Sequence, residues 1–122
     1  MKQLDHEHTQ ANRAARASLA EAFAAMETAD ELRALLRDLT TPAELEALVD
    51  RWRVAQLLEQ GLPYREINAQ TGVSVTTIGR VARFLESGHG GYRMALERVA
   101  RPDGRNDGPN DRPNAQLNEP LA

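Results

Sequence analysis

The chain has 122 residues, 41% of them hydrophobic and 4% aromatic, and this length supports one domain with a modest core of Leu, Ala, Val and Ile. It contains no cysteine, which excludes a disulfide framework and a thiolate metal or nucleophile site. No apolar run is long enough for a signal peptide or a membrane span, so a cytoplasmic location is expected.

The net charge of -3 is unevenly distributed along the chain. Residues 1–60 carry 7 basic and 11 acidic side chains, whereas residues 61–101 carry 6 arginines and three glutamates. Residues 102–122 carry 2 arginines and 4 acidic side chains. A nucleic-acid-binding protein needs only one basic face, so the positive segment 61–101 is compatible with DNA binding despite the negative total.

Two amphipathic helices are predicted in the first third of the chain. Residues 1–8 are expected to be frayed, and a helix is predicted from about Thr9 to near Thr28, on which three apolar residues recur at helical spacing: Leu19, Phe23 and Met26. Thr28 and Glu31 match a capping box, which predicts the start of a second helix. That helix carries one leucine-rich face, made of Leu32, Leu35, Leu36 and Leu39.

A third helix begins with the strong local signal Thr41-Pro42-Ala43-Glu44. Thr41 and Glu44 form a second capping box, and Pro42 occupies the first helical position, where its missing N–H costs nothing. The helix is predicted to run to about Gln60 and to end at Gly61. Its apolar residues cover more than one face, which indicates a central, buried helix.

The segment from Gly61 to Leu85 has the pattern of a helix-turn-helix at 63–86. Helices are predicted over about 63–71 and 74–86, with Gly72 supplying the backbone freedom for the turn. Ser74 is placed to cap the second helix, which is the recognition helix. Four residues are expected to face inward: Ile67, Val73, Ile78 and Val81.

A short last helix is indicated by apolar residues at helical spacing from Tyr92 to Val99. It completes a helical domain over residues 9–100 that contains the helix-turn-helix. Residues 101–122 contain four prolines and four asparagines and lack periodicity, so a disordered polar tail is predicted there.

An ordered set of short patterns runs through the middle of the chain: Thr41-Pro42, Arg51, the Gly61 break, Tyr64-Arg65-Glu66-Ile67, Thr71-Gly72, Thr76-Thr77-Ile78, Arg80 and Gly90-Gly91-Tyr92. Together they resemble the tryptophan repressor superfamily, in particular its tryptophan-repressor-like members of the YerC/YecD type, over roughly residues 30–100. The resemblance implies an all-α fold of six helices in an intertwined homodimer. It also implies that each chain offers its recognition helix to a major groove of a palindromic operator.

The predicted DNA-binding residues lie on the outer face of the motif. Arg65, Arg80 and Arg83 suit phosphate or guanine contacts, because guanidinium fits both geometries. Small side chains at the start of the recognition helix permit close approach and a thymine-methyl contact, and these are Val75, Thr76 and Gly79.

Three further residues complete the predicted interface, each with a structural alternative. Tyr64 either reaches a phosphate through its hydroxyl or packs half-buried. Thr77 either contacts DNA or caps the first turn of the recognition helix. Asn68 either faces the DNA or loosens the packing of the two motif helices.

In tryptophan repressors, two arginines hold the corepressor, and the resemblance matches them to Arg51 and Arg80. Val81 and Phe84, however, stand where the tryptophan-binding pattern has a glycine and a serine, and would fill the space for the indole. We therefore do not expect tryptophan to bind, and we predict no cofactor. Arg51 is interpreted as forming an interhelical salt bridge or contacting a phosphate. Binding of a different small ligand remains an alternative.

No pattern in the chain predicts catalysis. There is no paired nucleophile and base and no phosphate loop, and the histidines at positions 6, 8 and 89 share no fixed geometry for a metal. We therefore expect a sequence-specific, homodimeric DNA-binding transcriptional regulator, most simply a repressor. The alternative is a helical adaptor that binds another protein through its leucine-rich faces and does not bind DNA.

Overall fold

Residues 2–101 form six α-helices and no strand in the computed structural model, which describes these residues and, from Thr9 onward, their side chains. The helices are α1 (Lys2–Ala25), α2 (Ala29–Leu39), α3 (Pro42–Glu59), α4 (Tyr64–Thr71), α5 (Val75–Ser87) and α6 (Gly91–Ala100). The prediction of an all-α, six-helix fold is confirmed. The predicted disordered tail lies, beyond Arg101, outside the described residues. None of the described helices is long and apolar enough to cross a membrane.

The first helix differs from its prediction at both ends. It begins at Lys2 instead of near Thr9 and ends at Ala25 instead of near Thr28. Residues 2–8, expected to be frayed, are therefore helical. The first 25 residues include neither glycine nor proline, the two residue types that most disfavour a helix interior, so no local signal ends the helix before Ala25.

The next two helices begin at the predicted caps. The hydroxyl of Thr28 accepts a hydrogen bond from the amide of Glu31 at 3.0 Å. At α3 the pair is reciprocal: the Thr41 hydroxyl accepts from the Glu44 amide at 3.2 Å, and the Glu44 carboxylate accepts from the Thr41 amide at 2.8 Å. Each cap satisfies donors that a helix start leaves unpaired, so the boundaries follow from local chemistry.

The chain folds as two compact units, with the boundary between Glu46 and Ala47. In the first unit, none of residues 9–46 is buried. The leucines of α2 illustrate this, because Leu32, Leu35 and Leu36 are half-buried and Leu39 is 52% exposed. The apolar face of α2 is thus only partly covered.

The second unit contains the buried core. Its buried residues come from α3, the helix-turn-helix and α6, and they are Val54, Ala55, Ile67, Val73, Ile78, Val81 and Leu96. All four residues predicted to face inward from the motif belong to this set. Partly buried side chains, among them Trp52 and Tyr92, pack against it. The motif is therefore held by a shared core with α3 and α6.

The exit from α3 is set by the glycine that ends it. Gly61 has φ 88°, in the left-handed region that favours glycine. Its amide donates to the Leu58 carbonyl at 2.9 Å, and the Leu62 amide donates to the Leu57 carbonyl at 3.2 Å. This pair of bonds is a Schellman motif, which turns the chain from α3 towards α4.

The turn between α4 and α5 is closed by side chains as well as by backbone. Gly72 has φ 76°, as the predicted turn requires. The Asn68 side-chain amide donates to the Val73 carbonyl at 2.8 Å. The Thr71 hydroxyl donates to the Ile67 carbonyl at 2.7 Å and accepts from the Val73 amide at 3.0 Å. Asn68 thus ties the turn together, which is the opposite of the loosening considered from the sequence.

Replacing Asn68 with Ala is expected to lower the free energy of unfolding by about 1 kcal/mol, because the Val73 carbonyl loses its side-chain donor. Asn68→Asp is expected to cost more, since it also places a carboxylate against that carbonyl. Urea unfolding at one fixed protein concentration measures both changes. Gln70→Ala is the control, since the side chain of exposed Gln70 bonds to no described residue but Glu66, at 3.3 Å. Equal stabilities of Asn68→Ala and Gln70→Ala would contradict this role.

Candidate nucleic-acid interface

The recognition helix α5 begins with a cap that the sequence predicted. The Ser74 side chain accepts a hydrogen bond from the Thr77 amide at 3.2 Å, and its hydroxyl donates to the Thr77 hydroxyl at 3.2 Å. Thr77 is therefore engaged in the cap, and its side chain is only half-exposed. The amides of Val75 and Thr76 have no partner among the described residues. They remain at the positive end of the helix dipole, where an anion is favoured.

The outer face of α5 combines small side chains with arginines. Val75 is 54% exposed, and Thr76, Arg80 and Arg83 are also exposed, whereas Gly79 is half-buried. Arg65 is exposed on α4, the other helix of the motif. The structure thus brings most of the predicted reading residues onto one helix and leaves them open to solvent.

Tyr64 lies beside the recognition helix at Gly79, which has no side chain. A Cβ built on Gly79 would be 3.9 Å from Cε2 of the Tyr64 ring, an ordinary van der Waals contact. Tyr64 is 40% exposed, so the ring packs while part of it stays accessible. Tyr64, Gly79 and Arg83 line an open groove of about 450 Å³, and Glu59 and Arg93 line it as well.

Arg80 contacts an aromatic ring that follows it by one helical turn. The Cζ atom of Arg80 lies over the Phe84 ring, 5.5 Å from its centroid, within the range of a cation–π interaction. The sequence pattern indicates for Phe84 only that its side chain would fill an indole site. The i, i+4 spacing of the two residues is the signal by which this contact could have been predicted, but was not. Val81 is 1% exposed and belongs to the core instead of to a ligand site.

Two ion pairs occur among the described residues, and neither uses an arginine of the predicted interface. Arg33 pairs with Asp30 at 2.6 Å, and Arg93 pairs with Glu59 at 2.7 Å. The second pair joins α6 to the end of α3. Its two residues are 34 positions apart, so no local sequence pattern predicts it. The arginines of the predicted interface therefore form no ion pair with any described carboxylate.

Arg51, matched from the sequence to a corepressor arginine, is exposed on α3. It forms no ion pair and no hydrogen bond with any described residue, so the interhelical salt bridge considered for it is not seen among them. Its neighbour Arg53 does bond across helices, donating from Nη2 to the Gln70 carbonyl at 3.5 Å near the end of α4. Residues 9–101 contain no group of three or more side chains that could hold a metal ion.

Comparison with known proteins agrees with the geometry of the motif. The Trp repressor protein family model matches residues 15–100. The uncharacterized protein YerC of Bacillus subtilis (strain 168) is 45% identical over 62 residues, which are 51% of this chain and 60% of that protein. The match therefore spans less than two thirds of the relative's length.

Two solved structures share the fold. A candidate Trp repressor from Staphylococcus aureus has a TM-score of 0.68 and 36% identity, covering 71% of this chain and 87% of its own. A TrpR-like protein from Eubacterium eligens ATCC 27750 has a TM-score of 0.67 and 34% identity, covering 70% of this chain and 89% of its own. This chain therefore belongs to the Trp repressor protein family, as a TrpR-like protein of the YerC type.

Proposed function

We propose that the protein is a sequence-specific DNA-binding regulator, most simply a repressor, that inserts α5 into the major groove. The family is a regulatory one and its fold is not enzymatic. The observation that carries the proposal is the exposure of Arg65, Arg80 and Arg83 with no described carboxylate paired to them. Their guanidinium donors are free for phosphate oxygens or guanine edges.

The contacts divide into those that position the protein and those that distinguish bases. Arg65, Arg83 and the free amides at the start of α5 would hold phosphates, which fixes the docking register. Thr76 and Arg80 would face base edges, with Val75 offering its methyl groups to thymine. These base-facing side chains project from the exposed first turns of α5, the part of a recognition helix that contacts base edges.

The remaining interface residues have supporting roles in this proposal. Because Gly79 has no side chain, α5 can approach the major groove of DNA closely. The Tyr64 ring lies beside Gly79, so its phenol hydroxyl would be near the DNA backbone. Asn68 and Thr77 act indirectly, through the turn and the helix cap that they stabilise. Arg51 is a candidate phosphate contact, since its guanidinium has no described partner.

The proposed active form is a homodimer. The unit that ends at Glu46 contains no buried residue from Thr9 onward, although α2 has a pronounced apolar face. A second copy would cover that face, as the resemblance to tryptophan repressors implies. Two recognition helices related by a two-fold axis would then bind palindromic half-sites about one helical turn apart.

Substituting Ala for Arg80 and Arg83 together is expected to weaken DNA binding at least about 10-fold, because each substitution removes a charge-assisted hydrogen-bond donor group. The salt dependence of log K should also become less steep, by about 0.9 for each phosphate that the variant no longer neutralises. Gel shifts on random-sequence DNA, followed by selection of bound sequences, measure affinity and specificity.

The matched control is Arg33→Ala with Arg37→Ala, which removes the same charge from the exposed face of α2. Equal losses in the two double variants would indicate a general charge effect instead of a defined interface. Absence of binding by the wild type at low salt would favour the alternative function, a helical adaptor that binds protein and not DNA.

Leu35→Glu is expected to convert the proposed dimer to monomers, because it places a charge on the apolar face of α2. Sedimentation velocity should show about twice the chain mass of 13.5 kDa for the wild type and the single-chain mass for the variant. Ala34→Glu introduces the same charge at an exposed neighbouring position and should remain dimeric. A monomeric wild type would rule out this assembly.

Tryptophan is expected to leave DNA affinity unchanged. Val81 is part of the core and the Phe84 ring lies under Arg80, so the two residues that depart from the tryptophan-binding pattern are both engaged. Fluorescence anisotropy of labelled DNA, titrated with protein with and without saturating tryptophan, measures the effect. A shift of the binding curve by tryptophan would contradict the expectation.

A further inference from the structure

Phe84 is an aromatic side chain that lies partly outside the core. It is 39% exposed, whereas the neighbouring Val81 is 1% exposed. The guanidinium of Arg80 lies over its ring, 5.5 Å from the centroid. Among the exposed large apolar side chains, Phe84 has a charged partner, because the guanidinium of Arg80 lies within cation–π range of its ring.

The other groups near Arg80 on the helix surface would not hold its side chain in place. The positions three and four residues away are Thr76, Thr77, Arg83 and Phe84. The two threonines have short side chains, and Thr77 is engaged in the cap. Arg83 carries the same charge and repels Arg80. The ring of Phe84 is therefore the group on this face that attracts the guanidinium.

The chemistry of this contact differs from that of a salt bridge in one respect. The attraction between a guanidinium and a ring is electrostatic and uses no hydrogen-bond acceptor atom, so the contact with Phe84 leaves the N–H donors of Arg80 without a lone-pair partner. A carboxylate partner would occupy two of those donors. The ring thus orders the arginine and leaves it able to form bidentate hydrogen bonds with a new partner.

We propose that Phe84 is a positioning residue for Arg80, which holds the guanidinium ordered and unoccupied before DNA arrives. The long Arg side chain then loses less conformational freedom on binding, so affinity rises without any bound small molecule. The proposal rests on the DNA-binding role of Arg80 described above. It assigns to Phe84 a part in the interface although the ring itself need not touch DNA.

The test changes the charge on the face of the Phe84 ring and keeps the shape of the ring nearly constant. Phenylalanine carrying one, two or three ring fluorines, introduced at position 84, withdraws charge from the ring face in steps. We expect DNA affinity to fall in the same order, by about 2- to 5-fold per recognition helix when the attraction is fully lost. Phe84→Tyr should retain wild-type affinity, and Phe84→Leu should match the most fluorinated ring. Circular dichroism and thermal unfolding verify that every variant folds.

Two further readouts separate positioning from a general structural effect. The salt dependence of binding should be unchanged in Phe84→Leu, because the phosphate contacts remain, but less steep in Arg83→Ala, which removes one of them. In a double-mutant cycle, Phe84→Leu should have no effect once Arg80 is Ala. An equal loss from Phe84→Leu in both backgrounds would overturn the proposal.

The outcomes also distinguish this inference from the function on which it rests. If the wild type binds DNA, Arg80→Ala weakens binding and the fluorinated series matches the wild type, the positioning role is overturned and the regulatory function stands. If the wild type binds no DNA at low salt, both are overturned.

Discussion

The packing of Ile67 against the buried face of α5 is the constraint on which the rest of the interface depends. Ile67 and Ile78 are both fully buried, one from each helix of the motif, and the hydrogen-bonded turn at Gly72 sets the angle between them. Burial of a large aliphatic side chain on each helix fixes which face of α5 points inward. The opposite face, with Val75, Thr76 and Arg80, is consequently outward.

The packing of the second unit also determines which of its charged side chains form ion pairs. The acidic side chain that pairs across helices is Glu59, and it holds Arg93 on the groove side of the unit. Both side chains of that pair are nearly half exposed, so it adds little to stability. The arginines of α4 and α5, in contrast, are exposed and form no ion pair with any described carboxylate.

The two units differ in how well the single chain covers its apolar surface. The second unit surrounds Val54, Ile67, Ile78 and Val81 completely, whereas residues 9–46 bury none of their side chains. If α2 is covered by a second copy, as proposed, the stability of the first unit depends on protein concentration. DNA binding and folding of the first unit would then be coupled through dimer formation.

The sequence by itself determined the elements whose causes are local. The caps at Thr28, Thr41 and Ser74, the glycine turns and the inward-facing residues of the motif were all predictable, because each depends on neighbours within a few positions. The predicted start of α1 was wrong, since the absence of helix breakers is a weaker signal than a cap. The exposed set of interface arginines was also predicted, as a consequence of the same periodicity.

Only the tertiary structure decided which side chains meet. Glu59 and Arg93 are brought together by the packing of separate helices, and Arg53 reaches the end of α4 for the same reason. The roles of Asn68 and Phe84 depended on side-chain directions, which sequence spacing permits but does not select. These contacts close the turn of the helix-turn-helix and place Arg80 over a ring, because three-dimensional packing chooses among the rotamers that the sequence leaves open.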